Sequence, residues 1–417
     1  MKKILLWIVM LLVITSLVGL LFIGCKEEVA EEEVAEEEVA EEEEAVEEEE
    51  VVTTGKFREV PLDWILDLEE ETTVPWTPSG PNGQPTLGSD QLKLTEEQIA
   101  LATDLELKDY YFIAGTLDET EKLNKIGMDK VLTSVGKTPI PFMGAGSVSE
   151  QMDQIAALTA NAPSTSFIVA QAWDAIAMGP AFVELAEAGV PQVHTWTDVA
   201  GISDTANYIG LVDVDSYAHG AIPAEILSYA MNYEGQVGII YFALDMWTTI
   251  MRLQGAEDTF AKYPDIEIIS RVGFTDPEEG YDIAVGMLQA NPEIDAIWAV
   301  WMMGPGTGAA EAVVSLGKED EVIVAAPDLG GIAGAKFIAD PDYPIIGASG
   351  SDLIGMGENS INASLKWLLG FEEEVGHGYF VSRVYPIVRA NLVDGFSKDT
   401  GNAFGELPQD VLDLLED

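Results

Sequence analysis

The sequence predicts an α/β fold built from two parallel sheets, and three observations carry that expectation. From Asp109 onward, short apolar runs alternate with segments of helical period. The runs are continuous rather than polar–apolar alternating, as in strands covered by helices on both faces. There are too many of them for one open sheet of usual size, whereas 417 residues suit two lobes of about 120–150 residues each plus extensions.

Taken in order, strands are expected at 110–114, 140–143, 166–170, 192–195 and 208–211, then at 237–242, 267–271, 296–301, 322–326 and 344–348. Helical patterns fall at 149–160, 180–188, 251–263 and 278–290. Ligands of such folds sit beyond the carboxyl ends of the strands, so the loops after strands are the first place to look.

Ahead of this ladder the chain reads as an address and a stalk. Lys2 and Lys3 precede an apolar run over 4–23, followed by Gly24 and Cys25, the pattern of an export signal. Left uncleaved, the run is long enough to span a bilayer. Leu21-Phe22-Ile23-Gly24-Cys25 resembles a bacterial lipoprotein box, with Phe22 where leucine is usual. The resemblance implies a signal peptide over 1–24, a diacylated Cys25 as mature N-terminus, and a lipid anchor on the extracytoplasmic face of the cell envelope. Cys25 is the one cysteine, which excludes an intrachain disulfide and any multi-cysteine metal site.

Residues 25–55 read as an acidic tether, with EEEVA repeated at 31–35 and 36–40. Like charges at this density repel and favour an extended segment. Residues 56–107 form an extension expected to wrap the domain. Pro75, Pro78, Pro81 and Pro85 mark a loop, and Thr95-Glu96-Glu97-Gln98 is a capping-box helix start.

The formal net charge is −53. Residues 1–50 hold sixteen Glu, no Asp and three Lys, which leaves 17 basic against 57 acidic groups in the remainder. The ordered part is therefore acidic in its own right, and nucleic acid is excluded as a partner. His194, His219 and His377 lie far apart without metal-ligand spacing, and read as surface or hydrogen-bonded core residues. No metal or cofactor is called for.

Several blocks together resemble a known family, the periplasmic binding proteins of the ribose/galactose type that serve ABC transporters. Asp215-Ser216-Tyr217-Ala218-His219-Gly220 follows a strand as the family's hinge block does. Arg252-Leu253-Gln254-Gly255, then Phe260, is similar to its Arg-x-x-Gly helix. Asn291-Pro292-Glu293-Ile294-Asp295-Ala296-Ile297-Trp298-Ala299 is similar to its strand lead-in, and Ala326-Pro327-Asp328 takes the place of its Gly-x-Asp. The resemblance covers roughly 108–390. It implies two Rossmann-like lobes joined by a three-strand hinge, with crossovers near 213–215, 349–351 and 383–386. The lobes would be 108–213 with 350–383 and 214–349 with 384–395, leaving 396–417 as a tail.

The resemblance also implies a monomeric receptor without enzymatic activity, a small-molecule ligand that is most simply a sugar, and an ABC permease as partner. Arg252, Asp328 and Asp215 keep the family's residue types. The sugar-stacking aromatics after the first strand fall at 119–122, which holds none; an Asp-Arg pair falls at Trp196-Thr197, and an Asn-Asp pair at Trp301-Met302. Trp173, Trp196, Trp247 and Trp301 lie at or just after strand ends. Ligand contacts are therefore expected from Trp173, Trp196, Asp215, Trp247, Arg252, Trp301, Met302, Asp328 and Ser349.

Alternatives stay open at this point. The same fold serves ligand-sensing lipoproteins, and the ligand could be a nucleoside or carboxylate. Asp328 could cap a following helix, as Asp174 is expected to do before Ala175-Ile176. Gly304-Pro305-Gly306-Thr307-Gly308-Ala309 fits a dinucleotide-binding turn, with Asp328 about twenty residues later, although Pro305 sits inside the turn.

Overall fold

The computed structural model describes residues 56–416 apart from Thr116, Asp118 and Asp245. The signal, Cys25 and the tether lie outside the described residues. Among the described residues no helix is long and apolar enough to cross a membrane.

The helices are α1 (Leu62–Glu71), α2 (Glu96–Asp104), α3 (Glu119–Ser134), α4 (Val148–Ala160) and α5 (Gly179–Glu187), then α6 (Ser216–Ala230), α7 (Trp247–Phe260), α8 (Gly280–Ala290) and α9 (Thr307–Ser315). They end with α10 (Gly331–Ala339), α11 (Leu353–Leu368), α12 (Leu392–Thr400) and α13 (Gln409–Glu416).

The strands form two sheets. The N-lobe sheet holds β1 (Thr86–Gly88), β2 (Asp109–Ala114), β3 (Phe142–Gly144), β4 (Thr165–Ala170), β5 (Gln192–Thr195), β6 (Tyr208–Val214) and β12 (Gly378–Ser382). It is parallel throughout, in the order β1-β12-β6-β5-β4-β2-β3. The C-lobe sheet holds β7 (Glu234–Phe242), β8 (Asp265–Phe274), β9 (Ala296–Ala299), β10 (Ile323–Pro327), β11 (Ile345–Ser351) and β13 (Val384–Val388). Its order is β13-β11-β10-β9-β7-β8, with β13 alone antiparallel. All ten expected strands are present, and the two-sheet α/β class holds.

Strands β1, β12 and β13 were absent from that expectation. Three-residue β1 is too short to carry a pattern. Strand β13 contains Pro386, which argues against a strand read from sequence. As the edge strand of its sheet, β13 tolerates a residue without an N–H.

The chain passes between the sheets three times, at Asp215, Asp352 and Arg383. The passages bond to one another: Asp215 N donates to Ser382 O at 3.0 Å, and Asp352 N to Arg383 O at 3.2 Å. Because β11 runs to Ser351, the second passage falls just after the expected 349–351.

Each lobe has a close helix crossing. A Cβ on Gly127 of α3 would come within 1.9 Å of Ile354 O on α11, and one on Gly357 within 1.9 Å of Asn124 O. In the C lobe a Cβ on Gly220 of α6 would lie 1.8 Å from Arg252 O on α7, and one on Gly255 2.1 Å from Tyr217 O. Only glycine permits these backbone approaches. Helix α6 is buried on nearly every face, as expected of a helix that is apolar all round.

Candidate functional site

The two sheets turn their carboxyl ends towards each other, and the lobes are closed across the gap. Thr248 Oγ1, at the start of α7, donates to Trp196 O just beyond β5 at 2.6 Å. Trp247 Nε1 reaches Tyr379 OH on β12 at 3.5 Å. A Cβ on Gly331 of α10 would touch the Glu119 carboxylate of α3, so these elements also meet.

The C-lobe side of the cleft is organised around Asp328, directly after β10, in the left-handed region with φ 65°. Aspartate tolerates that conformation better than most residues. Its carboxylate accepts from Arg252 Nη1 at 2.8 Å, from Arg252 Nη2 at 3.3 Å and from His219 Nε2 at 2.9 Å. Arg252 Nη1 also donates to Val300 O at 3.3 Å.

The exposures decide what a ligand can touch. The Asp328 side chain is 38 % exposed, against 5 % for Arg252 and 0 % for His219. The carboxylate is therefore the part of this cluster that faces solvent, with the guanidinium and imidazole beneath it. Burial would raise the Asp328 pKa, but Arg252 and His219 outweigh it and hold the carboxyl below its ordinary range. His219 is pushed down by burial first and then by Arg252. A neutral imidazole bonded to a carboxylate carries its proton on Nε2, consistent with a buried Nδ1 that has no hydrogen-bond partner.

The N-lobe side differs. Asp213 at the end of β6 is fully buried, and its oxygens accept from Val214 N at 2.8 Å, Ser216 Oγ at 3.3 Å and Tyr379 OH at 3.3 Å. Burial pushes its pKa up to about 7, with these donors and Arg252 pulling against it. Aromatic residues supply the rest. Trp173 is 45 % exposed, lies against Gly115 and donates from Nε1 to Ala145 O at 2.7 Å. Trp196 also has positive φ, and its buried indole N–H has no partner. Across the cleft, Trp301 packs with Phe242 and Phe274 at centroid distances of 5.3 and 5.0 Å.

Of the residues expected to contact ligand, Asp328, Trp196 and Trp247 gather at the meeting of the lobes, with Arg252 beneath Asp328. Trp173 and Trp301 lie beyond strand ends on the two sides. Three others are placed elsewhere. Ser349 is fully buried and donates to His219 O at 2.7 Å, which braces α6 from below. Met302 is fully buried beside Gly306 and Gly334, within the C-lobe core. The Asp215 carboxylate is taken up by Ala218 N at 3.1 Å, Thr77 N at 3.0 Å, the Thr77 hydroxyl and Trp76 N.

Sequence reasoning missed His219, Asp213, Thr248 and Tyr379. His219 had one usable signal, its position one turn after the Asp215 cap on the same helix.

The helix-cap reading of Asp328 gives way to its ion pair. Asp174 Oδ1 accepts from Ile176 N at 2.9 Å and Ala177 N at 2.7 Å, closing a turn ahead of α5. The glycine turn at 304–309 serves packing. Gly304 N donates to Thr307 Oγ1 at 3.0 Å, and Cβ atoms on Gly280 or Gly308 would strike the facing backbone. Two cavities of about 690 and 680 Å³ lie at the amino ends of the sheets, beside Tyr110 and beside Ile323. The fold places ligands at the opposite ends.

Two Rossmann-like lobes meeting at a polar cluster and joined by three hinge passages make the architecture of a two-lobed binding protein. The chain belongs to the periplasmic binding protein domain family, whose sequence model matches residues 121–370. No curated protein matches by sequence. Solved structures share the fold. A solute-binding protein from Actinobacillus succinogenes 130z with bound D-allose is 18 % identical over 69 % of this chain and 100 % of its own, with TM-score 0.58. One from Bacillus halodurans C-125 with myo-inositol is 20 % identical over 70 % and 98 %, with TM-score 0.59. A 5-methylthioribose transporter protein from Thermotoga lettingae is 15 % identical over 75 % and 99 %, with TM-score 0.58.

Proposed function

We propose that this protein is an extracytoplasmic solute-binding lipoprotein that captures a neutral, hydroxyl-bearing small molecule of the sugar class and delivers it to an ABC permease. The observation that carries the ligand class is the Asp328 cluster. A carboxylate kept ionised by buried partners, in a side chain that is 38 % exposed, can accept further from hydroxyl donors through its remaining lone pairs. The Arg252 charge is already matched by Asp328, which disfavours a carboxylate ligand. Trp173, Trp247 and Trp301 supply ring faces for the apolar face of a sugar. Sugar and polyol ligands in solved relatives of the same fold support this reading. Closure around the ligand makes contacts from both lobes, so ligand selects the closed state. Lipidation at Cys25 would hold the monomeric receptor at the membrane beside its permease.

The test is a titration of the full-length protein with D-allose, D-arabinose, myo-inositol, nucleosides and carboxylic acids, followed by tryptophan fluorescence and thermal midpoint. A native-state ligand at a hundredfold excess over its Kd stabilises by about 2.7 kcal/mol. Binding of a neutral polyhydroxy compound, lost in Asp328→Asn, is expected. Binding of carboxylates alone, undiminished in that variant, would overturn the ligand class.

A further inference from the structure

The family match begins at residue 121, beyond the extension of 56–107, yet this extension touches both lobes and the hinge between them. It starts on the C lobe. Lys56 pairs with Asp295 and donates to Glu321 O at 2.8 Å, Arg58 N donates to Ala230 O at 3.0 Å, and α1 packs on β13. It ends on the N lobe. Asn82 Nδ2 donates to Asp198 Oδ2 at 2.9 Å, β1 pairs with β12, and Gln91 O accepts from Lys366 Nζ at 3.0 Å.

The short link between these anchorages, residues 72–79, is pinned to two of the three hinge passages. At Arg383, Nε donates to Thr72 Oγ1 at 3.4 Å. At Asp215, the carboxylate accepts from Trp76 N, Thr77 N and Thr77 Oγ1, and the same hydroxyl accepts from Tyr217 N at 3.1 Å.

We propose that residues 72–79 act as a fourth connection of the hinge, pinned at Asp215, which restrains how far the lobes separate. Three passages leave a rotation between two rigid bodies. A fourth, anchored firmly on each body, permits only rotations that keep the link near the axis. Wider opening has to pull the link off Asp215 or detach one anchorage. The pin also reaches the binding site, because Asp215 caps α6 and His219, one turn along, holds Asp328. Thr77 is thus a positioning residue for the cleft, acting through Asp215.

The inference rests on the reading of the cleft as a closing binding site, but its readout is lobe separation without ligand, so it can fail while ligand capture stands. The experiment uses the full-length chain in detergent with Cys25→Ser, dye-labelled at Ser149→Cys and Glu278→Cys. These exposed positions lie beyond β3 and β8, one on each lobe. Single-molecule energy transfer on the parent should give one narrow population. Thr77→Val keeps the side-chain volume and removes the hydroxyl. It should raise the share of wide separations by roughly tenfold or more, since the hydroxyl's bonds to the Asp215 carboxylate and to Tyr217 N are both lost. Replacing 73–79 by glycine and serine at equal length should broaden the distribution further. If that version does not fold, Thr77→Val decides alone. A folded Thr77→Val protein with the parent's distribution would overturn the proposal.

Discussion

The two lobes are built on the same plan and differ in how each treats the carboxyl group it places near the cleft. Each has a mostly or wholly parallel sheet and a helix pair crossing at glycines, α3 with α11 in one and α6 with α7 in the other. In the N lobe that crossing packs the helices beside the Lys130–Glu358 ion pair, which joins α3 to α11. In the C lobe the contact of Gly220 with the Arg252 backbone sets His219 and Arg252 side by side, so that both reach Asp328. The N-lobe counterpart, Asp213, is driven towards neutrality by burial, whereas Asp328 is held ionised. A shared architecture therefore does not place its acids alike: the ionised carboxylate of Asp328 stands on the C lobe, while tryptophans lie on both, exposed Trp173 on the N lobe and half-buried Trp301 on the C lobe.

The sharpest way to break this contrast is Asp328→Ala. It removes the exposed acceptor and leaves the Arg252 charge buried without its partner. Roughly 3–5 kcal/mol of stability should be lost, and ligand affinity should fall by at least a hundredfold, read by denaturant unfolding and calorimetric titration. Next comes the paired test Gly220→Ala and Gly127→Ala. Both force apart a helix crossing, at about 1–3 kcal/mol or more. Only Gly220→Ala should also weaken binding by the folded fraction; equal effects on affinity would erase the proposed difference between the crossings.

The pH dependence of the two carboxyls should have opposite sign. The folded pKa of Asp213, about 7, lies above its ordinary 3.8, so its contribution is fully present below pH 3.8 and is lost as pH rises through 7. The parent should therefore lose on the order of 2 kcal/mol relative to Asp213→Asn between pH 5 and 8. Asp328, with a depressed pKa, contributes above pH 3.8 and loses that contribution as pH falls. Chemical denaturation of parent and variant at both pH values checks the first sign. The smallest effect is expected for Thr248→Val, which deletes one cross-cleft hydrogen bond. About 1 kcal/mol, or a several-fold faster ligand release, should follow.

Much of the fold and part of the site are legible in the residues themselves. Continuous apolar runs mark the ladder, and the order of blocks points to Arg252 and Asp328. What stays hidden has physical causes. Helix α6 is buried all round, so no periodicity singles out His219. Ser349 and Met302 follow strands as ligand contacts should, but side-chain direction at a strand end is set by packing, which spacing does not report. The role of 72–79 depends on where a proline-rich loop meets a distant carboxylate, and Thr77 and Asp215 are 138 residues apart.

The attachment of Lys56 to Asp295 and Glu321 has a mechanical meaning. These contacts lie at the amino ends of β9 and β10, away from the cleft. Lys56 is thus held on the back of the C lobe. A pull on the chain at Lys56 would bear on the C lobe and leave the N lobe free to turn about the hinge passages. Asp328, Arg252 and His219 would stay with the loaded body, and the N lobe would swing over them.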